Sequence, residues 1–344
     1  MAKTALVTGA SSGIGREIAR DLSARGFRVI LSARREERLR DLAEELGDNT
    51  RVIVCDVSDR EECLRLYEET KNEKISVLVN CAGFGAVGSF DKLPLDTELK
   101  MIDTNVTAVH MLTKLFLKDF VAADRGYIMN IASSAGLMYG GPMMATYYAS
   151  KAYVVSLTSA IYEELRVRNS RVHVCAVCPG PVDTEFNDVA NCKFGVSSIT
   201  PQFCAKKALE GMFGRKLIII PEKSIKALYA GSKFAPRGIV LKVTGKVQIL
   251  NEEFAKEDVN FDTAEAAQSR KGVLQATYTP IRSVEDPKYY SHFTLSKFKN
   301  GTFQLLNYDE GETDMGDGTT WRNLLKYGRE LDEGYYMMVT GTRL

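Results

Sequence analysis

The chain has 344 residues, of which 45% are apolar and 26% charged, a balance that excludes disordered and fibrous chains and leaves room for a large core or two domains. Lysine and arginine number 45 against 44 aspartate and glutamate, so no bulk charge draws the molecule to nucleic acid. The charge is unevenly spread, with 34 basic and 28 acidic residues up to position 250 against 11 basic and 16 acidic after it, which points to two units.

The first part alternates short apolar runs with helical patterns. Thr4–Thr8, Arg28–Ser32, Arg51–Cys55, Ser76–Asn80, Gly126–Ile131, Arg171–Val177 and Leu217–Ile220 read as strands, of the apolar kind that a parallel sheet buries on both faces. Residues 13–25, 36–46, 59–72, 98–122, 147–167 and 202–213 read as helices, with apolar residues at helical spacing such as Ile14, Ile18 and Leu22. Strict alternation predicts an α/β fold, a doubly wound parallel sheet, over residues 1–250. Residues 215–250 hold eight basic side chains against the single acid Glu222. They read either as an amphipathic element in weak contact with an anionic membrane surface or as a solvated helical face beside a cleft. A polar linker, 251–270, leads to a β-rich tail, 271–344, where Tyr289–Phe298 and Thr302–Tyr308 flank Lys299-Asn300-Gly301 as a hairpin. Trp321–Tyr327 reads as a short helix and Gly334–Thr340 as a last strand.

Seven cysteines at irregular spacings, the last at Cys204, read as reduced thiols rather than as a secreted disulfide framework. Cys175 and Cys178 form a C-x-x-C inside a strand, where positions i and i+3 point to opposite faces, so no metal is expected there. The chain opens directly into TALVTG, and no apolar run approaches the roughly 20 residues of a membrane span, so the expectation is a soluble cytoplasmic protein.

Thr8-Gly9-Ala10-Ser11-Ser12-Gly13-Ile14-Gly15 joins the first strand to the first helix. Glycines there permit a tight turn and close approach of backbone to a pyrophosphate at the positive end of the helix. The second strand ends in Ser32-Ala33-Arg34-Arg35, with arginine where an NAD-specific site places an acid. Arg34 and Ser11 are therefore expected to hold a 2′-phosphate, favouring NADP(H) over NAD(H). Asp56, before Val57 at the end of the third strand, suits either an adenine amino group or the start of the next helix. Tyr147 and Lys151 are four apart and share a helix face, where the ammonium favours phenolate and lets one tyrosine act as acid and base. Ser134 ends the neighbouring strand within reach of a substrate oxygen, whereas Tyr148 points off the shared face and reads as packing.

TGASSGIG, Asn80-Cys81-Ala82-Gly83, Asn105, Ser134, the Tyr147-Tyr148-Ala149-Ser150-Lys151 stretch and Pro179-Gly180-Pro181-Val182-Asp183-Thr184 occur in one order and spacing. In that combination residues 1–250 resemble the short-chain dehydrogenase/reductase family, which implies a Rossmann fold and an oxidoreductase acting on a small carbonyl or alcohol. The resemblance implies Tyr147 as proton donor or acceptor, Lys151 as its pKa modulator and a ribose ligand, Ser134 as substrate orienter and Asn105 as anchor of a relay water. It places Gly9, Ser11, Ser12, Gly13, Ile14, Gly15, Arg34, Asp56, Val57, Asn80, Ala82, Gly83, Pro179, Gly180, Val182 and Thr184 around the cofactor. Within that set Asn80 also steadies the sheet and Thr184 holds the nicotinamide amide. Homodimers or homotetramers through helices 98–122 and 147–167 follow from the same resemblance. Two departures stand out: Cys81 replaces a commoner asparagine, and Glu222 stands where glycine is common.

Phe84, Val87, Leu137, Met138, Tyr139, Met143 and Phe186 flank the inferred site and suit an apolar substrate, and Glu185–Pro201 has the composition of a lid. The tail resembles a β-sandwich segment of transglutaminase-like proteins of gut bacteria, without cysteine and with His292 as its lone histidine. A second reading makes the chain a non-catalytic dinucleotide sensor or scaffold whose tail binds a partner or glycan; the paired Tyr147 and Lys151 argue against it.

Overall fold

In the first unit, Met1–Glu252, seven strands form one parallel sheet in the order β3-β2-β1-β4-β5-β6-β7. They are β1 Thr4–Thr8, β2 Arg28–Ala33, β3 Thr50–Val54, β4 Ile75–Asn80, β5 Tyr127–Ile131, β6 His173–Val177 and β7 Ile218–Ile219. The computed structural model describes residues 3–186, 198–242 and 244, and after residue 257 only six strand segments.

The strand pleat sends successive side chains to opposite faces, and both faces are apolar. Leu6 pairs with Ile30 and Leu78, Leu78 with Ile128, and Ile128 with Val174, so one row of branched side chains crosses five strands. That row packs on α3 (Arg60–Thr70), α5 (Ala108–Ala122) and α6 (Ala145–Val167) through Leu66, Leu112, Phe116, Phe120 and Leu165. The alternate residues, among them Val7, Leu31, Val79 and Val177, meet Ile18 and Leu22 of α1 (Gly13–Ala24), Leu39 and Leu42 of α2 (Glu36–Leu46), and Leu209 and Met212 of the helix Pro201–Phe213, α7. Each fully buried side chain of this size contributes about 1.5–3 kcal/mol, so both faces hold the sheet between its helix layers. Cys175 and Cys178 fall into different apolar clusters, as their spacing on a strand requires.

The expected helix 98–122 is three pieces. Helix α4 (Leu95–Ile102) and α5 are separated by a π-helical turn, Asp103–Thr107, centred on buried Asn105. Periodicity could not reveal the break, because the side-chain bonds that hold it reach outside the helix. Helix α8 (Lys223–Ser232) buries Ile225 and exposes Lys223 and Lys226, and a further helical stretch starts at Arg237. No helix among the described residues is long and apolar enough to cross a membrane.

One polar cluster lies within this core. The Asn80 amide donates to Asn130 Oδ1 (2.8 Å) and Thr113 Oγ1 (3.1 Å), and the Asn130 amide donates to Thr158 Oγ1 (2.9 Å). It ties the ends of β4 and β5 to α5 and α6.

In the second unit, Glu253–Leu344, β9 (Leu274–Tyr278), β10 (Ser291–Lys297), β11 (Phe303–Tyr308) and β13 (Thr342–Arg343) form an antiparallel sheet in the order β11-β10-β9-β13. Strands β8 (Asp258–Val259) and β12 (Val339–Thr340) pair separately. The segments expected to form a hairpin pair as β10 and β11, with Phe293 opposite Tyr308, and His292 pairs with Thr277 of β9. The turn between the hairpin strands, the helix expected around Trp321, and Cys192 lie outside the described residues.

Asn130→Ala takes away the buried bonds that Asn130 makes to the Asn80 amide and to Thr158, leaving them only Thr113 and the Val154 carbonyl, and is expected to destabilise the first unit by about 1–3 kcal/mol in urea unfolding. Thr158→Val, which removes the bond from Asn130 and a bond to the Val154 carbonyl that the helix backbone also serves, should cost less.

Candidate active site

Strand order reverses between β1 and β4, and a crevice opens there beyond the carboxyl ends of the strands. It holds a cleft of about 360 Å³ whose floor is the glycine turn and whose far wall is α6 with the loop after β6. Gly9 has φ +67°, and a Cβ on it would stand 2.8 Å from the Ala82 nitrogen; one on Gly15 would collide with the Gly9 carbonyl. Side chains are thus excluded where the turn meets β4. Thr8 completes the junction, its hydroxyl accepting from the backbone nitrogens of Cys81 (3.1 Å) and Ala82 (3.3 Å). Gly9, Ser11, Ser12, Gly13, Ile14, Gly15, Ala82 and Gly83 line this part of the cleft, with Cys81 among them, its thiol pushed up to about 12 by burial.

At one end the two consecutive arginines after β2 take different directions. Arg34 is largely exposed and sits 3.8 Å from Asp56. Arg35 instead turns back over the glycine turn, donating to Ser11 Oγ (3.1 and 3.2 Å) and Ser12 Oγ (2.7 Å). Arg35 is the N-cap residue of α2, with extended backbone, and that bend sends consecutive side chains in different directions. Its position beside Arg34 was the only trace in the sequence. Arg38, a turn further on, joins it, and both guanidiniums hold the carboxylate of Glu185. Asp56 does not cap α3, since Asp59 does so by accepting from the Glu61 nitrogen at 2.8 Å. Its carboxyl lies below the usual range: partial burial opposes this, but bonds from the Ser58 hydroxyl (2.7 Å) and nitrogen (3.1 Å) outweigh it. Asp56 and Val57 stand on the cleft wall, with Arg34 and Arg35.

At the other end, Tyr147 and Lys151 share the cleft face of α6, with the Lys151 nitrogen 5.8 Å from the Tyr147 ring centre. Lys151 is buried, donates to the Ile131 carbonyl (3.0 Å), and has its pKa lowered by burial to about 8. Ser134 opens a short 3₁₀ turn, Ser134–Leu137, and its backbone nitrogen donates to the Pro179 carbonyl at 2.7 Å. Gly136 rests directly on the Lys151 backbone, which brings that turn against α6.

Two expected residues lie off the cleft wall. Asn80 is in the polar cluster beneath it. Asn105 has both amide hydrogens committed, to the Phe84 carbonyl (2.9 Å) and to Ser150 Oγ (3.1 Å), while its Oδ1 accepts from the Phe84 nitrogen (3.1 Å). Ser150 in turn donates to the Tyr147 carbonyl at 2.7 Å. The π turn thus clamps the loop after β4 to the start of α6.

Pro179, Gly180, Val182 and Thr184 form the remaining wall. The Gly180 nitrogen donates to Glu222 Oε1 at 3.0 Å, which gives the departure at Glu222 a structural purpose: a carboxyl, pushed up by burial, holds the turn of the loop. The excursion that follows is pinned at its base, where the Asp183 nitrogen donates to the Ile199 carbonyl (2.9 Å) and the Ile199 nitrogen to Pro181 (3.0 Å). Most of the expected lid lies outside the described residues. Of the expected apolar flank, Phe84 and Phe186 line the cleft, with Phe186 at 5.5 Å from the Tyr147 ring; Tyr139 stacks under Arg237 instead. Met144 and Tyr148, not expected there, complete the wall, since Tyr148 packs on Gly141 in a way that still presents it to the cleft.

Below about pH 8 the folded protein bears a buried ammonium at Lys151. Between about pH 8 and 10.5 the folded chain has released that proton while the unfolded chain still binds it, so stability from this group rises with pH. Comparing urea unfolding of wild type and Lys151→Met, the difference is expected to move in favour of wild type by about 2 kcal/mol between pH 7 and 10. A pH-independent difference would contradict the burial account.

A family model for short chain dehydrogenases matches residues 3–193. The 3-oxoacyl-acyl-carrier-protein reductase FabG of Rickettsia prowazekii is 37% identical over 189 residues, 55% of this chain and 76% of that protein. A short-chain dehydrogenase from Sphingobium yanoikuyae in complex with NADPH matches at TM-score 0.62 and 28% identity, over 69% of this chain and 94% of its own. A short-chain dehydrogenase/reductase from Burkholderia phymatum in complex with NAD matches at TM-score 0.62 and 25% identity, over 67% and 92%.

Proposed function

The chain belongs to the short-chain dehydrogenase family, an oxidoreductase family, and on that premise we propose that it interconverts an apolar ketone and its secondary alcohol with NADP(H). The observation that carries the reading is the pairing of Tyr147 with Lys151 in a cleft continuous with the glycine turn. A nicotinamide dinucleotide fits this cleft: the close approach at Gly9 and Gly15 leaves room for a pyrophosphate at the N-terminus of α1, and Arg35 lies over the same turn with Arg38 beside it. Gly9, Ser11, Ser12, Gly13, Ile14 and Gly15 would hold the diphosphate, and Asp56, Val57, Ala82 and Gly83 the adenosine half. Lys151, Pro179, Gly180, Val182 and Thr184 would hold the nicotinamide half. When bound, NADP(H) supplies hydride to the carbonyl carbon or accepts it from the alcohol carbon.

Tyr147 donates its phenolic proton to the carbonyl oxygen in reduction and recovers one in oxidation. Lys151, close to half protonated near pH 8, becomes the counter-charge as phenolate forms. Ser134 orients the substrate oxygen from the opposite wall. Asn105 acts as a positioning residue through Phe84 and Ser150, its amide hydrogens being committed there. Phe84, Met144, Tyr148 and Phe186 surround Tyr147 with apolar surface, which supports a hydrophobic substrate. Preference for NADP(H) rests on Arg35 and Arg38, with no acid between Ser32 and Arg35 at the end of β2. The outer faces of α4, α5 and α6 expose Leu99, Ile102, Val121 and Tyr153, which supports association of copies.

Turnover of NADPH against a panel of aliphatic, aromatic and 3-oxoacyl thioester ketones tests the reading. Tyr147→Phe is expected to lower kcat by about 10²–10⁴-fold while NADPH still binds; undiminished turnover would refute the role of Tyr147. Arg35→Ala is expected to weaken NADPH about tenfold or more, with NADH nearly unaffected, as the loss of a charge-assisted hydrogen bond predicts.

A further inference from the structure

We propose that Glu185 competes internally for the arginine pair that reads the 2′-phosphate, and so sets how strongly the protein discriminates NADPH from NADH. This rests on the proposed phosphate site at Arg35 and Arg38.

Glu185 comes from the loop after β6, far along the chain from α2, yet its two carboxylate oxygens divide between the two guanidiniums. Oε2 accepts from Arg35 at 2.7 Å and Oε1 from Arg38. The remaining donors of Arg35 rest on Ser11 and Ser12. One arginine thereby joins the glycine turn, where the diphosphate is expected, to a carboxylate at the place expected for the phosphate. The carboxylate stays ionised through the working range, because first Arg35 and then Arg38 hold its pKa down.

The ion pair is built for exchange. Arg35, Arg38 and Glu185 are each between 43% and 44% exposed, so breaking the contact strands no buried charge and returns the carboxylate to water. A phosphate dianion brings more charge and more acceptor oxygens to the same forks, and it forms the stronger bonds. The 2′-hydroxyl of NADH brings no charge and leaves Glu185 where it is. NADPH binding therefore carries the cost of displacing Glu185, and NADH binding does not, so the native residue narrows a preference that the arginines alone would make wider.

The position of Glu185 in the chain gives the contact reach. Its neighbour Thr184 packs on Gly13 of the glycine turn, and Phe186 lies 5.5 Å from the Tyr147 ring. Three consecutive residues thus touch the phosphate turn, the arginine pair and the proposed acid. The occupant of the arginines is tied directly to the wall beside Tyr147.

The test is equilibrium binding of NADPH and NADH, by nucleotide fluorescence at low salt, to the full chain as wild type, Glu185→Gln and the double variant Arg35→Ala/Arg38→Ala. Glu185→Gln keeps the side-chain shape and removes the charge. It is expected to tighten NADPH about fivefold and leave NADH within twofold, a change in ratio that general damage to the fold cannot produce. The double arginine variant is expected to lose NADPH selectively. If it does, but Glu185→Gln leaves NADPH unchanged or weaker, or weakens NADH alone, Glu185 is not a competitor and the inference falls while the phosphate site stands. If the double variant leaves the ratio of the two affinities unaltered, the phosphate site itself is wrong and the inference falls with it.

Discussion

The structure depends on how closely β1 and β4 approach where the strand order reverses. At that point the backbone of Gly9 lies against Ala82, the Thr8 hydroxyl receives two backbone nitrogens, and no Cβ fits at Gly9 or Gly15. A bulkier turn would push α1 away from the sheet, taking its positive end out of reach of an anion, and would separate Ala82 and Gly83 from the glycine turn. Both apolar faces of the sheet serve this contact by holding the strands that carry it between two layers of helices.

Behind the junction, polar groups connect elements that apolar packing alone would leave free to rotate. Asn80, Asn130, Thr113 and Thr158 link two strand ends to two helices, and Asn105 links a third segment to the start of α6. Because these groups are buried, each unmade bond is costly, and the geometry they select is correspondingly narrow. Tyr147 and Lys151 inherit that definition: α6 is fixed near its start by Asn105 through Ser150 and beneath by Thr158. The pKa of Lys151 follows from the same packing, since the position that faces the cleft is also the one that water cannot solvate.

The two ends of the cleft differ in kind. Around Tyr147 the wall is apolar and the charge is a single buried ammonium. Around Arg35 the side chains are half exposed and charged, and their ion pairs face water. The short stretch Thr184 to Phe186 touches both.

From the sequence alone, alternating apolar strands and helices determined a doubly wound parallel sheet, and TGASSGIG, Tyr147 with Lys151, and Pro179 to Thr184 marked which loops line its crevice. These were legible because each depends on local spacing: a pleat of two, a helical turn of nearly four, a glycine where a turn demands one. Turning Arg35 back onto Ser11, breaking 98–122 at Asn105, placing Asn80 below the cleft and bringing Glu185 to the arginines all required the tertiary structure. Each of these depends on a partner at least twenty residues away, and no local spacing encodes the direction in which a long side chain turns or the distant backbone that a buried amide finds.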